Sequence, residues 1–521
     1  MGRAELVGAA GDCVTLVEKF PWIRYSYIEL PFSLKAWASW WRTVDSLFIQ
    51  EKLDLTINAT QASNGVIDAK ELIPQIRAEV TGQVITAEDK EYDEARKLFY
   101  GKHDKHPTVI VRATNATDVA RVVTVARETG VELAVRGGGH SVAGLSVSEG
   151  GIVLDLSEMK GLDIDVEARD AWAEAGLTAL EYTEAAAEYG LATGFGDTGT
   201  VGIGGLTLGG GIGFMVRKHG LTIDDLLAAE IVTADGKPLN VNAEENADLF
   251  WAIRGGGGNF GVVTRFKFRL HPVETIVGGM LILPGTPEVI AKFMDLADKA
   301  PEELSTIANI MVAPPMPFLP EEQHGKLVIM AMLAYVGDTE AGEKVIAPFR
   351  ALGAIADMVK AMPYPEMYKL FPEGPGPTQE SSRSLFRDTF NKKTAKMIVE
   401  HLQKSSAMFA VAQIRVLGGA MAKVPVEATA FAHRKRKYMA ALGAIYENAD
   451  EVPTHEAWVE AFAAAMAEGE PGVYVNFVGN EGEARVKDAY PNKTYDRLAE
   501  IKAKVDPGNV FRMNQNIKPK E

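Results

Sequence analysis

Apolar positions along the chain change character near residue 80. Before that point they fall in short pieces with neither helical nor strand period, and four of the seven tryptophans sit there (Trp22, Trp37, Trp40, Trp41). From about Val84 the pattern sharpens into short strands alternating with amphipathic helices. Val119, Val122, Val123 and Ala126 share one helical face, and Gly130 can close that helix. The segment after it, Val131 to Gly137, reads as a strand running into a glycine turn. Thr178 and Glu181 have the spacing of a capping box, which predicts a helix start at that point and an end by Gly190. Ala234-Asp235-Gly236 stands between two apolar runs and predicts a hairpin. Residues 276–473 alternate strands and longer helices with less glycine, and the tail from Tyr474 returns to short, turn-rich pieces. The pattern therefore predicts four units: an extension over 1–80 with no assigned role, then 81–275, 276–473 and 474–521.

A chain of 521 residues exceeds what one hydrophobic core usually organises, so more than one folded unit around a shared cleft is expected. Lys and Arg number 54 against 70 Asp and Glu, and the net charge of -16 would repel a phosphate backbone. Nucleic acid is not an expected partner. The basic run from His433 to Lys437 lies in a helix-like segment and reads as a solvated face. Cys13 is the sole cysteine, which excludes an internal disulfide and a thiolate zinc cage and leaves the compartment open. His103 and His106 have ligand-like spacing without a third ligand, so a surface loop is expected there and no metal. No apolar run reaches the roughly 18 residues of a membrane span, and Asp12 breaks the one stretch that resembles a leader. A soluble, cytoplasmic protein with no membrane partner is the expectation.

Chemistry concentrates where glycine does, between Gly137 and Gly261. Gly137, Gly138 and Gly139 precede His140 and Ser141 at the end of a predicted strand. Three residues without Cβ allow backbone N–H groups to approach an anion, although a tight turn alone would explain them equally. A second cluster runs from Gly199 to Phe214. A third, Gly255 to Gly261, contains a formal G-x-G-x-x-G, but it follows a helical segment and precedes a strand. That order is the reverse of a dinucleotide-binding Rossmann turn, so the NAD reading is rejected.

Taken together, RGGGHSVAG, the run ending in GGGIGF, DLFWAIRGGGGNFGVVT and the terminal YDRLAEIKAKVDPGNVFRMNQNI resemble the vanillyl-alcohol-oxidase superfamily. Within it they are most similar to berberine-bridge-like and 6-hydroxynicotine oxidases. The resemblance begins near residue 84. It implies an α+β fold: a two-part PCMH-type FAD-binding domain over 81–275, a substrate domain over 276–473 built on an antiparallel sheet flanked by helices, and a C-terminal segment over 474–521 returning to the FAD domain. It implies FAD as cofactor, bonded through a ring nitrogen of His140 to the flavin 8α carbon. The cofactor-binding set it implies is Arg136, Gly137, Gly138, Gly139, His140, Ser141, Thr198, Val201, Gly202, Gly204, Gly205, Gly209, Gly211, Gly261, Val262, Val263, Asn514 and Asn516.

Two departures from the family pattern matter. Where many relatives carry a second flavin-linking cysteine, this chain has Thr198, so His140 is the sole expected tether. Where several relatives carry a catalytic tyrosine, at the end of Y-x-N-Y, this chain has Phe477. Tyr474, Tyr438, His433 and Tyr490 remain as substitutes for the base. Val201 aligns with a position where valine is similar to oxygen-reacting members. The expected function is oxidation of a small alcohol, sugar or nitrogen-containing metabolite, with O2 as acceptor. A flavin dehydrogenase and a flavin-binding protein without turnover are the alternatives.

Overall fold

The computed structural model describes residues 69–370, 376, 379–491 and 493–521. The tryptophan-rich extension lies almost wholly outside these residues.

The first sheet is built around Ile152–Asp155, with Val109–Arg112 and Leu133–Arg136 parallel to it on either side and Gln83–Ile85 antiparallel at the edge. The helix Ala116–Thr129 makes the crossover between two of these strands. Its start is fixed by Asn115, whose side chain accepts from the Thr117 and Asp118 N–H groups, and its end by Gly130 at φ 72°. The second sheet is antiparallel, in the order Leu162–Asp165, Asp170–Glu174, Val262–Arg269, Leu226–Val232, Pro238–Asn242. Its last pair is the hairpin expected around Asp235-Gly236. The Thr178 capping box forms as expected and opens the helix Ala179–Ala187.

The third sheet is antiparallel and larger. Its order is Ala356–Asp357, Ile276–Pro284, Leu327–Tyr335, Leu304–Val312, Phe409–Val416, Tyr438–Tyr446, Gln379–Arg387, with Lys360–Met362 also paired to Ile276–Pro284. Helices Pro287–Lys299, Thr339–Arg350, Lys392–Lys404 and Val452–Met466 send Phe293, Phe349, Ile398 and Phe462 into one core with this sheet. Such apolar burial, at about 25 cal/mol per Å², is what fixes the helices to that face. The opposite face carries Glu380, Ser382, Ser384, Gln413 and Arg415, positions that share one side by the alternation of each strand.

The basic run 433–437 departs from expectation. It is not helical, and Arg434 is 0% exposed because its guanidinium forms a bidentate pair with Asp224 at 2.7 and 2.8 Å. A fork-shaped cation matched to a carboxylate can be buried where a lone one cannot. His103 also has a structural partner: its Nε2 lies 2.7 Å from the Val142 carbonyl, bracing the loop after His140.

Candidate functional site

Strand Leu133–Arg136 ends in a turn whose glycines bring the chain against a second loop. A Cβ added to Gly138 would overlap the Gly202 nitrogen, and one on Gly202 would overlap the Gly138 nitrogen. Both backbones can touch only because neither residue has a side chain. On the other side Gly205 and Gly258 have nothing within 4 Å of an added Cβ, so bare backbone faces open space.

That space is a cavity of about 550 Å³. One wall is the backbone of Gly137 to Ser141, Gly202 to Gly205 and Gly257 to Gly261, with Thr198, Val201, Val262, Val263 and Asn514. The other is the sheet face carrying Glu380, Ser382, Ser384, Val411, Gln413 and Arg415. Register places Ser382, Gly443 and Val411 in one row and Ser384, Ala441 and Gln413 in the next. Small residues on the two outer strands leave room above the sheet.

His140 projects into this space. Phe99 stacks on its ring at 4.2 Å and 20°, and Thr200 Oγ1 lies 2.9 Å from its Nε2. Burial lowers its pKa to about 4, so the imidazole is neutral near pH 7. The tail closes the cavity from the third side. Asn514 donates to the Gly258 carbonyl at 3.2 Å, while Asn259 donates to the Gln515 carbonyl at 3.2 Å and accepts from the Ile517 N–H at 2.9 Å.

Four of the sequence-derived cofactor positions stand off the cavity wall. Arg136 is buried against Asp155 at 2.7 Å, and Gly209 leaves room for the Asn476 side chain. Gly211 donates its N–H to the Tyr474 hydroxyl at 2.9 Å, and Asn516 does not line the cavity. Of the candidate bases only Tyr474 reaches the cavity. Its hydroxyl is already engaged by Gly211 and by Asn476 Nδ2 at 2.9 Å, and burial raises its pKa. His433 is lowered to about 4 by burial and sits 2.9 Å from the Asp488 carbonyl, away from the cavity. Tyr438, raised to about 12 by burial, and Tyr490 also lie outside it.

Groups with no local sequence signal also line the cavity. Asp197 pairs with Arg415, and the guanidinium carbon of Arg415 lies 4.9 Å from the centroid of the Phe477 ring. Tyr100 and Glu380 complete the polar lining, and burial raises the Tyr100 pKa, keeping it a phenol. Asp197 and Arg415 are 218 positions apart, and only the packing of the sheet on the glycine loops joins them.

The FAD binding domain family matches residues 107–242, and the berberine and berberine-like family matches residues 473–518. The chain is 31% identical over 459 residues to (R)-6-hydroxynicotine oxidase of Paenarthrobacter nicotinovorans, covering 84% of this chain and 97% of that one. It is 32% identical to an uncharacterized FAD-linked oxidoreductase of Bacillus subtilis, covering 85% and 99%. The chain belongs to the berberine-bridge-like FAD-linked oxidoreductases. A crystal structure of 6-hydroxy-D-nicotine oxidase from Arthrobacter nicotinovorans superposes with a TM-score of 0.75 at 26% identity, covering 85% of this chain and 98% of that one. The fold is thus the α+β PCMH-type architecture.

The residues present fit the cofactor of a berberine-bridge-like enzyme. On the glycine wall Ser146 Oγ and Asn514 Oδ1 are buried without a hydrogen-bond partner among the described residues. Buried polar atoms are rarely left so, and a bound group bearing N–H groups and phosphate oxygens would satisfy them. The glycine contact gives a direct test. Gly138→Ala is expected to push the two loops apart and to lower the FAD-to-protein absorbance ratio of purified protein. A ratio equal to wild type would show that the contact does not shape the site.

Proposed function

We propose that this chain holds FAD covalently through His140 and oxidises a small alcohol, sugar or nitrogen-containing metabolite, passing the electrons to O2 and releasing H2O2. In this reading residues 81–275 with the returning tail 474–521 form the FAD domain and residues 276–473 the substrate domain. The supporting observation is a neutral imidazole on the cavity wall, stacked on Phe99, in a loop that glycine keeps open to a flat or phosphorylated group. Neutral imidazole is a competent nucleophile. Bound FAD supplies a two-electron acceptor for a substrate C–H bond.

The protein's own task is to place that bond and to receive a proton. Ser382, Gly443, Ser384 and Ala441 give the substrate a shallow floor between the strands. Phe477 has no exchangeable proton, and burial holds Tyr474 as a phenol although its oxygen accepts from Gly211 and Asn476. Asp197 opens on the cavity with its side chain 18% exposed, and Arg415 keeps it aimed there. It is the group placed to accept the O–H or N–H proton, a role that typically contributes about 10²–10⁴ in rate.

The test begins with a panel of alcohols, sugars and amines, scored by anaerobic bleaching of the flavin. Bleaching by one class, with peroxide formed in air, supports an oxidase. Bleaching followed by turnover with a dye alone points to a dehydrogenase, and no bleaching at all removes the enzymatic reading. With the best substrate, Asp197→Asn is expected to slow bleaching by about 10²-fold, and an unchanged rate would clear Asp197 of the role.

A further inference from the structure

The hydroxyl of Thr200 stands 2.9 Å from Nε2 of His140, and the Phe99 ring lies flat on the imidazole. No hydrogen bond reaches Nδ1 among the described residues. Thr200 is itself held in place. The carbonyl of the next residue, Val201, accepts from the Ala179 N–H at 2.9 Å, and a Cβ added to Gly138 would lie 2.9 Å from the Thr200 carbonyl oxygen. The loop bearing the hydroxyl and the loop bearing the histidine are therefore packed against each other.

We propose that Thr200 is a positioning residue for flavin attachment, its hydroxyl holding Nε2 of His140 and so directing the new bond to Nδ1. This rests on the reading of His140 as the tether. A neutral imidazole has one N–H and one lone pair, and when Thr200 accepts the Nε2–H the lone pair is on Nδ1. In the net reaction one C–H of the flavin 8α methyl and the imidazole N–H are lost and a carbon–Nδ1 bond forms. The two electrons and two protons go to dioxygen, giving H2O2. Nε2 then carries the lone pair, and the same hydroxyl turns to donate to it. Only a side chain that both accepts and donates serves before and after the bond.

The experiment adds FAD to protein purified from riboflavin-depleted cells and follows covalent incorporation as fluorescence of the denatured band. Thr200→Val is expected to incorporate FAD about tenfold more slowly, the value of one hydrogen bond, with Thr200→Ala behaving likewise and Thr200→Ser restored to the wild-type rate. Hydrolysed wild-type protein should yield histidyl-flavin that chromatographs with the Nδ1-linked standard. Quenching of free FAD fluorescence and the melting temperature control for folding and for non-covalent binding. Wild-type rates in both the valine and alanine variants, or an Nε2-linked product from wild type, overturn the proposal. A wild-type protein that binds FAD but never tethers it overturns the underlying reading of His140 instead.

Discussion

His140→Ala is expected to move all flavin colour from the pellet to the supernatant when the protein is precipitated with acid. In wild type the colour should stay with the pellet. Under the proposed attachment the effect is all-or-none, because Thr198 stands where relatives carry a second linking cysteine and Cys13 lies outside the matched region. Non-covalent binding should survive in the variant, since the backbone of Gly137 to Gly139 and of Gly202 to Gly205 is unaltered by the loss of one ring. The purified variant should therefore still be yellow before denaturation, with FAD that dialyses away. Colour remaining in the variant's pellet would locate the bond elsewhere. A colourless native variant would mean that the ring contributes to the cradle itself.

The glycine-rich loops were legible because their chemistry is local. A run without Cβ atoms at a strand end marks a close backbone approach within a few residues, and the capping box at Thr178 and the Asp235-Gly236 hairpin are equally short-range signals. The large antiparallel sheet was expected in kind, but its strand order was not. Phe409–Val416 pairs with Leu304–Val312 across about a hundred intervening residues, and nothing in either segment names its partner. The Asp197–Arg415 pair, to which we assign the proton-handling role, has no local signal for the same reason. Asp197 reads as an ordinary loop aspartate and Arg415 as a charge in a strand until the sheet face is laid over the glycine wall. Residue type alone points to several substitute tyrosines, and packing separates them. Tyr438 and Tyr490 are packed outside the cavity, and the Tyr474 oxygen is committed to Gly211 and Asn476. In the basic run 433–437 Lys435 and Lys437 are exposed as expected, whereas Arg434 is buried, because charge alone does not reveal a partner such as Asp224.

Lys502→Met is expected to cost about 3–5 kcal/mol of stability, the usual price of leaving one member of a buried ion pair uncompensated. Lys502 and Asp506 are both 0% exposed and meet at 2.6 Å on the last turn of the helix Lys493–Val505. Burial works to lower the Lys502 pKa, and Asp506 opposes it. The ammonium also donates to the Asn259 carbonyl at 2.7 Å and the Phe511 carbonyl at 2.9 Å, and Asp506 accepts from the Val510 and Phe511 N–H groups. The pair is thus the joint between the tail and the Gly257–Asn259 turn that lines the cavity. Chemical denaturation should show the midpoint falling, and FAD content should fall with it, because Asn259 and Asn514 lose their fixed relation. Lys502→Met combined with Asp506→Leu removes the stranded charge but still leaves the Val510 and Phe511 N–H groups without an acceptor. The double variant should therefore recover only part of the loss. Full recovery would mean that the pair supplies no order to the tail, and FAD content in that protein would then have to equal wild type.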